Sequence, residues 1–183
     1  MDQKCRCRWC NTRNPVYVEY HDHEWGRLRT DDAYLLEMLI LESFQAGLSW
    51  ECILNKRCHF RRAYDNFDLK RIVSYGEEKI NELLHDPNIV RSRRKIEASI
   101  RNSRIFLSIT EEYGSFFEYL KTFTHGEIRY ETDRVTSDLS DAVSADLKNR
   151  GMTFVGSVTV YSFLQAIGVV YAHDASCYLH KNG

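Results

Sequence analysis

The chain has 183 residues, of which 43% are hydrophobic and 28% are charged, and its formal net charge is −1. This balance predicts one soluble globular domain over residues 1–183 with a sizeable core. It excludes a uniformly basic surface, so contact with DNA would need a local basic patch. No apolar run reaches the ~20 residues of a membrane helix, and the N-terminus lacks a signal-peptide core. We therefore expect a cytoplasmic protein without membrane contact.

Helical periodicity dominates the chain, so we predict a mainly α fold. Asp31 or Asp32 can cap a helix that ends at Gly47, and a second helix is expected from about Trp50 to Tyr64. Later helices are predicted after Asp68, over about 77–84, 92–109 and 115–123, from Ser137 or Ser140 to Gly151, and between Gly156 and Gly168. The last of these begins with β-branched residues, which leaves a strand possible.

Glu42 falls on the apolar stripe of the first of these helices, with Leu35, Met38 and Leu39 at helical spacing. Glutamate is rarely buried without a partner. Three interpretations remain open: Glu42 pairs with a lysine or arginine, it sits at the edge of the stripe, or it awaits a ligand that carries a hydrogen-bond donor or a positive charge.

A turn with small residues follows immediately, in the string Gln45-Ala46-Gly47-Leu48-Ser49-Trp50. Glycine permits a tight connection between two helices and places Leu48 near its tip. An exposed apolar side chain there can wedge into a base stack when a nucleotide is extruded, although a core position for Leu48 fits equally well.

Aromatic residues are concentrated in the first third of the chain, at Trp9, Tyr17, Tyr20, Trp25 and Trp50. Such a group can sandwich a planar base. It can equally be ordinary core, which is the commoner case.

Two cysteines and two histidines near the chain ends suggest a closed tetrahedral zinc site: Cys7, His21, His173 and Cys177. The i, i+4 spacing of His173 and Cys177 predicts that both lie on one helical face. Cys5 and Cys10 are rival ligands, and the run 21–24 (His-Asp-His-Glu) offers further candidates. Six cysteines in a reducing compartment favour metal ligands or buried thiols over disulfides.

Residues 91–104 hold six basic side chains against the single acid Glu97, a local patch that the net charge conceals. The preceding proline turn leads into a predicted helix, whose free backbone N–H groups can bind a phosphate. A solvated helix face is the alternative interpretation.

Together these segments resemble the bacterial 3-methyladenine DNA glycosylase I family. The resemblance is carried by Cys7-x-Trp9, Tyr17-x-x-Tyr20-His21-Asp22-x-Glu24-Trp25-Gly26, Leu41-Glu42-x-x-Gln45-Ala46-Gly47-Leu48-Ser49-Trp50, Ile89-Val90-Arg91-x-Arg93-x-Lys95-Ile96, Lys148-x-Arg150-Gly151, Phe154-Val155-Gly156, Tyr161-Ser162-Phe163-x-Gln165-Ala166 and His173-x-x-x-Cys177. It spans nearly the whole chain, and no single short motif would be sufficient.

The resemblance implies a helix–hairpin–helix glycosylase body with a zinc-bearing lobe formed by the two chain termini, about 1–30 plus 165–183. It implies one structural zinc ion, Zn2+, with the ligands Cys7, His21, His173 and Cys177. It implies that a flipped base is enclosed by Trp9, Tyr17, Tyr20 and Trp50 and bound by Glu42. It places Gly47, Leu48, Arg91, Arg93 and Lys95 at the DNA.

The implied activity is monofunctional hydrolysis of the N-glycosidic bond of 3-methyladenine in alkylated double-stranded DNA. The products are the free base and an abasic site. We expect a monomer that acts in the bacterial cytoplasm, on nucleoid DNA. The sequence does not identify a catalytic aspartate, and Asp22 and Asp174 stay open as candidates. The alternatives of other classes are a lesion-binding module, a metal hydrolase built on residues 21–23, and an enzyme that acts on free nucleobases or nucleosides.

Overall fold

The computed structural model describes residues 4–181, and within them regular structure is almost entirely helical. The helices are α1 (Pro15–His23), α2 (Asp32–Gln45), α3 (Trp50–Ala63), α4 (Leu69–Ile72), α5 (Glu77–His85), α6 (Arg93–Tyr113), α7 (Phe116–Thr124), α8 (Asp138–Asn149) and α9 (Ser157–Ala166), with a 3-10 turn at Asp65–Phe67. Two short strands, β1 (Arg129–Tyr130) and β2 (Val170–Tyr171), pair in parallel.

Helix α2 lies at the centre of the core and contacts α3, α6, α7 and α9. It begins where Asp31 accepts the backbone N–H of Tyr34 at 2.9 Å, and every residue from Leu35 to Phe44 is buried. A helix that is buried all round needs an apolar sequence, and its two glutamates therefore require an explanation. Glu37 and Glu42 are those two residues.

Most of the predicted helices are confirmed. Ser137, not Ser140, provides the cap of α8, and residues 157–166 form a helix rather than a strand. Helix α6 continues to Tyr113 because the first residue able to stop it is Gly114, whose φ is +89°.

Two features were not anticipated by the helical periodicity. Helix α1 was not predicted, although Asn14 caps it and Pro15 occupies its first turn, a known start signal. The prediction that His173 and Cys177 share a helical face is wrong, because they lie in consecutive turns after β2, where the Cys177 N–H donates to the Asp174 carbonyl at 2.8 Å. Two residues four apart do not define a helix when no periodic apolar face accompanies them.

The N-terminal segment is held against the end of α9 by backbone contacts. The N–H groups of Gly26 and Arg29 donate to the carbonyls of Gln165 and Ile167 at 3.1 and 2.9 Å. Gly168 makes this approach possible, because a Cβ there would lie 2.3 Å from the backbone of residues 27 and 28. This contact fixes the segment that follows α1 against the end of α9.

Among residues 4–181, no helix has both the length and the apolar character needed to cross a membrane.

Gly168→Ala should therefore destabilise the protein well beyond the cost of its backbone conformation. Gly114→Ala is the matched control, since Gly114 also has positive φ but a Cβ there meets nothing within 4 Å. We expect about 1–2 kcal/mol for the control and roughly 1–3 kcal/mol more for Gly168→Ala, measured by urea unfolding. Equal losses in the two variants would show that the close approach is not tight.

Candidate active site

A cavity of about 290 Å³ opens between α1, α2, α3 and α9. Its lining is aromatic and polar: Trp9, Tyr17, Tyr20, Trp25, Glu42, Gln45, Trp50, Ser162 and Gln165. All five residues that the sequence assigned to base binding are in this set. The volume and the mixture of flat apolar walls with a few polar groups suit a small planar ligand.

Glu42 is the charged residue of this cavity and is only 4% exposed. Its Oε2 atom is buried without a hydrogen-bond partner in the described part of the chain. Burial raises the pKa of the Glu42 carboxyl from its ordinary 4.5 to about 8. A buried carboxyl without a partner is costly, so the site is chemically incomplete without a ligand.

The ion-pair interpretation of Glu42 is not supported, because its Oε2 atom has no partner among residues 4–181 and the buried arginine Arg57 contacts two other glutamates. Arg57 donates from Nε to Glu37 at 2.8 Å and from Nη1 to Glu24 at 2.6 Å. Arg61 adds a second contact to Glu37 at 2.7 Å. These partners hold the pKa of Glu37 below its usual value although burial opposes them. Within residues 4–181, one core glutamate is therefore paired and the other is left for a ligand.

The aromatic walls contact one another around the cavity. The ring centroids of Trp9 and Trp25 are 4.8 Å apart, those of Trp9 and Tyr17 5.4 Å apart, and those of Tyr20 and Trp50 5.5 Å apart. The indole Nε1 of Trp50 is buried without a partner in the described residues. The cavity thus presents a free indole donor and a free carboxyl, which a flat ligand with polar edges would satisfy.

The resemblance did not assign four of the lining residues to base binding, although Trp25 belongs to the aromatic group in the first third of the chain: Trp25, Gln45, Ser162 and Gln165. Gln45 and Gln165 stand in the strings that carry the family resemblance. A second signal for Gln45 is its position three residues after Glu42, on the same side of α2. Ser162 also stands in such a string, but no periodicity or spacing marked its role, because its place at the cavity depends on how α9 packs against α2.

The turn between α2 and α3 is exposed at the same end of α2. Gly47 has φ +79°, and the N–H of Leu48 donates to the Gln45 carbonyl at 2.6 Å. Leu48 is 40% exposed, so the interpretation as a core residue is wrong. Its exposure follows from the αL glycine, which turns the chain outward before Ser49 caps α3.

The basic residues predicted at the DNA differ in what they contact. Arg91 is exposed, and its side chain forms no hydrogen bond or ion pair within residues 4–181. Arg93 pairs with Glu77 and Glu97 at 2.7 and 3.2 Å. Lys95 donates to backbone carbonyls at the end of α2. Arg91 is thus the cation of these three that is free to meet a phosphate.

The sulfur and nitrogen atoms of Cys7, His21, His173 and Cys177 converge, with all four ligand atoms within 4.8 Å of one another and all four residues buried. The Nδ1 of His173 lies 3.3 Å from Sγ of Cys7 and 3.5 Å from Sγ of Cys177. Sγ of Cys177 is 3.5 Å from Nε2 of His21. This cluster, called the Cys2His2 cluster below, has the donors and spacing of a tetrahedral metal site.

An outer contact orients the His21 imidazole of the Cys2His2 cluster, and burial keeps the His173 imidazole neutral. His21 Nδ1 lies 2.7 Å from Asp22, which also accepts two bonds from Arg6 at 2.7 and 2.8 Å. With its proton on Nδ1, His21 turns the Nε2 lone pair toward the cluster. Burial lowers the pKa of His173 to about 4, which keeps its ring neutral, as a metal ligand must be.

The rival ligands lie elsewhere. Cys10 is buried with its sulfur 3.8 Å from the Tyr17 carbonyl, and Cys5 is exposed. His23 is also exposed. Asp22 and Asp174 surround the Cys2His2 cluster and do not line the cavity, so neither fits the position of a catalytic aspartate. His21 and Asp22 lie at the Cys2His2 cluster and His23 is exposed, so residues 21–23 do not form the shared metal site that a hydrolase would need.

The Cys2His2 cluster and the cavity share a wall. Trp9 packs on the His21 ring with centroids 5.3 Å apart, and Trp25 packs edge-on against His173 at 4.7 Å. Both tryptophans also line the cavity. Whatever fixes the cluster therefore fixes one side of the cavity.

Comparison with known proteins gives a consistent result. A family model described as methyladenine glycosylase matches residues 9–180. The chain is 38% identical over 178 residues to DNA-3-methyladenine glycosylase 1 of Escherichia coli (strain K12), covering 94% of this chain and 95% of the relative. A crystal structure of 3-methyladenine DNA glycosylase I aligns at TM-score 0.90 and 38% identity, covering 97% of this chain and 100% of that one. A structure of the Staphylococcus aureus enzyme, determined for the basis of 3-methyladenine recognition, aligns at TM-score 0.90 and 36% identity, covering 98% and 100%.

The buried carboxyl makes stability depend on pH in a defined direction. Because the folded protein binds the Glu42 proton more tightly than the unfolded chain, stability should fall as the pH rises from about 4.5 through about 8. Glu42→Gln removes this cost, so the variant should gain about 5 kcal/mol of stability over the wild type well above pH 8. Near pH 4.5 the two should be alike.

Chemical unfolding at pH 5 and pH 9 measures this difference. Glu111→Gln, at an exposed glutamate near the end of α6, is the control and should follow the wild type at both pH values. A constant gap between Glu42→Gln and the wild type would mean that Glu42 titrates normally.

Proposed function

The chain belongs to the methyladenine glycosylase family, and from that membership we propose that it excises 3-methyladenine from alkylated double-stranded DNA. The observation that carries the proposal is the free carboxyl of Glu42 in an aromatic cavity. A buried carboxylate with a purely structural role would be expected to pair with a lysine or arginine. This one holds flat apolar walls, which suit a planar base that is itself positively charged.

The selectivity follows from charge. A 3-methylated adenine nucleotide carries a delocalised positive charge, and its N-glycosidic bond is already weakened. Aromatic walls favour such a base through cation–π contact, worth roughly 0.5–2 kcal/mol each. Glu42 ionises against the cation and accepts a hydrogen bond from the exocyclic amine. Neutral adenine gains less from both effects, which separates the lesion from normal DNA.

The base reaches the cavity by extrusion from the duplex. We propose that Leu48, exposed at the α2–α3 turn beside Gly47, fills the gap in the base stack. The segment 86–92 between α5 and α6 acts as the hairpin of a helix–hairpin–helix body. Ser92 makes no side-chain cap bond, so the first amides of α6 can bind a phosphate together with Arg91.

The chemistry is hydrolysis without a covalent protein intermediate. No lysine is among the described residues that line the cavity, so no amine is placed to attack the sugar. Because the base leaves as a neutral molecule, water can add to the sugar carbon as oxocarbenium character develops. The products are free 3-methyladenine and an abasic site, with the strand intact.

We further propose that the Cys2His2 cluster binds one structural zinc ion, held by Cys7, His21, His173 and Cys177, within a lobe made from about 1–30 and 165–183. A tetrahedral zinc with sulfur at ~2.3 Å and nitrogen at ~2.1 Å separates these atoms by roughly 3.5 Å, close to the 3.3–3.5 Å observed. Four protein ligands leave no open position, so the ion supplies stability rather than a reactive water.

We also propose an oligomeric state and a location in the cell. All six cysteines are free, which fits the reducing bacterial cytoplasm and action on nucleoid DNA without a membrane. A monomer is enough, because every residue that lines the cavity comes from one chain.

Base release from methylated duplex DNA tests the proposed activity. The wild type should release 3-methyladenine at neutral pH, and Glu42→Gln should be roughly 10- to 100-fold slower because it loses a charge-assisted hydrogen bond. Glu111→Gln serves as the surface control. Borohydride should trap no covalent complex. If folded wild type binds damaged DNA but frees no base, the protein is a lesion-binding module instead.

Elemental analysis tests the metal. The wild type should carry about one zinc ion per chain, and Cys177→Ser should lose it with a clear drop in Tm. Cys58→Ser, at an exposed cysteine, should keep both. Free-base binding should also weaken in Cys177→Ser, because Trp9 and Trp25 pack on the ligand rings. Normal stability without zinc would contradict the structural role.

A further inference from the structure

Lys95 makes an unusual contact for a residue of a basic patch. Its Nζ donates to the carbonyls of Phe44 and Ala46 at 2.8 and 2.6 Å. The side chain is only half-buried, yet two of the three N–H donors of its ammonium are used. It therefore offers little to a DNA phosphate in the free protein.

These carbonyls end α2. The last four carbonyls of a helix have no partner within it, and the C-terminal end of the helix dipole attracts a cation. Helix α2 stops at Gln45, and Ala46 is its C-cap, with ψ 113°. Lys95 comes from the first turn of α6, 49 residues later than Ala46. A long-range side chain thus performs the capping that a local residue would usually provide.

The capped end of α2 is also the end that lies beside the cavity and leads into the exposed α2–α3 turn. Gln45 lines the cavity, Glu42 lies one turn earlier, and Leu48 is exposed two residues after Ala46. The backbone between them turns through Gly47, where no side chain stiffens the chain. Without a cap, this segment would be free to move relative to Glu42.

A second lysine links the same elements from the other side. Lys56, on α3, donates from Nζ to the carbonyl of Asn88 at 3.0 Å. Lys95 connects the start of α6, which follows the hairpin, to the α2–α3 turn. Lys56 connects α3, which follows that turn, to the hairpin. The two DNA-facing loops are thereby held at a fixed distance.

We propose that Lys95 is a positioning residue that fixes the α2–α3 turn relative to the hairpin, so that Leu48 is held in place for extrusion, rather than a phosphate ligand. This inference rests on the proposed glycosylase activity. It makes the rate of base release, more than the affinity for DNA, depend on Lys95.

Lys95→Met tests the proposal, because methionine keeps the length of the side chain and removes its donors. Arg94→Met, at the exposed neighbouring cation, is the control for loss of charge. Three quantities are compared: the single-turnover rate of 3-methyladenine release at saturating protein, the salt dependence of binding to a duplex with a stable abasic-site analogue, and amide hydrogen exchange of residues 45–49 without DNA.

A positioning role predicts a rate roughly 10- to 100-fold lower for Lys95→Met, a salt slope like that of the wild type, and faster exchange at 45–49. Arg94→Met should keep the wild-type rate and exchange. In a double-mutant cycle, Leu48→Ala and Lys95→Met should be far from additive, because both act through one turn.

A phosphate ligand would behave differently. The salt slope would then fall by about 0.9, the saturated rate would stay near that of the wild type, and exchange would not change; this result overturns the proposal. Additive effects with Leu48→Ala would also overturn it. Exchange needs no substrate, so a wild type that releases no base would reject the glycosylase proposal separately from the cap.

Discussion

A carboxyl group buried without a partner is the constraint around which the rest of this protein is arranged. Helix α2 carries two glutamates into the core, and the surroundings treat them in opposite ways. Glu37 receives Arg57 and Arg61, while Glu42 lines the aromatic cavity, and its Oε2 atom has no hydrogen-bond partner among residues 4–181. Burial of Glu42 has a cost in desolvation free energy, and a bound cationic base would offset that cost. Relief of this desolvation would therefore add to the affinity for a positively charged base.

Contacts outside the cavity fix the positions of the side chains that line it. Trp9 and Trp25 belong to the cavity, yet they pack on the rings of His21 and His173. A metal in the Cys2His2 cluster would therefore act on the base site without touching it. Gly168 serves the same end, since it lets the segment after Trp25 lie directly on the backbone beyond α9.

Much of this could be predicted from local pattern, and the failures share a cause. The helices and their caps follow from periodicity and capping residues, and Glu42 was marked by its place on an apolar stripe. The sequence could not tell whether an arginine reaches Glu42, because Arg57 comes from another helix and is taken by Glu24 and Glu37. For the same reason, Lys95 resembled a phosphate ligand until its contact with α2 was known. The local sequence pattern indicates that a residue is unusual, but it seldom indicates which distant residue it contacts.

The ionisation of Glu42 is the most direct test of this account, and carbon-13 NMR of its side-chain carboxyl can follow it. In the free protein the carboxyl should titrate near pH 8. With 3-methyladenine bound, the midpoint should fall by more than about one unit, because a hydrogen bond from the exocyclic amine of the base favours the carboxylate. Adenine should cause a smaller change. A carboxyl that titrates near 4.5, or one that 3-methyladenine leaves unchanged, would contradict the claim that Glu42 waits for the base.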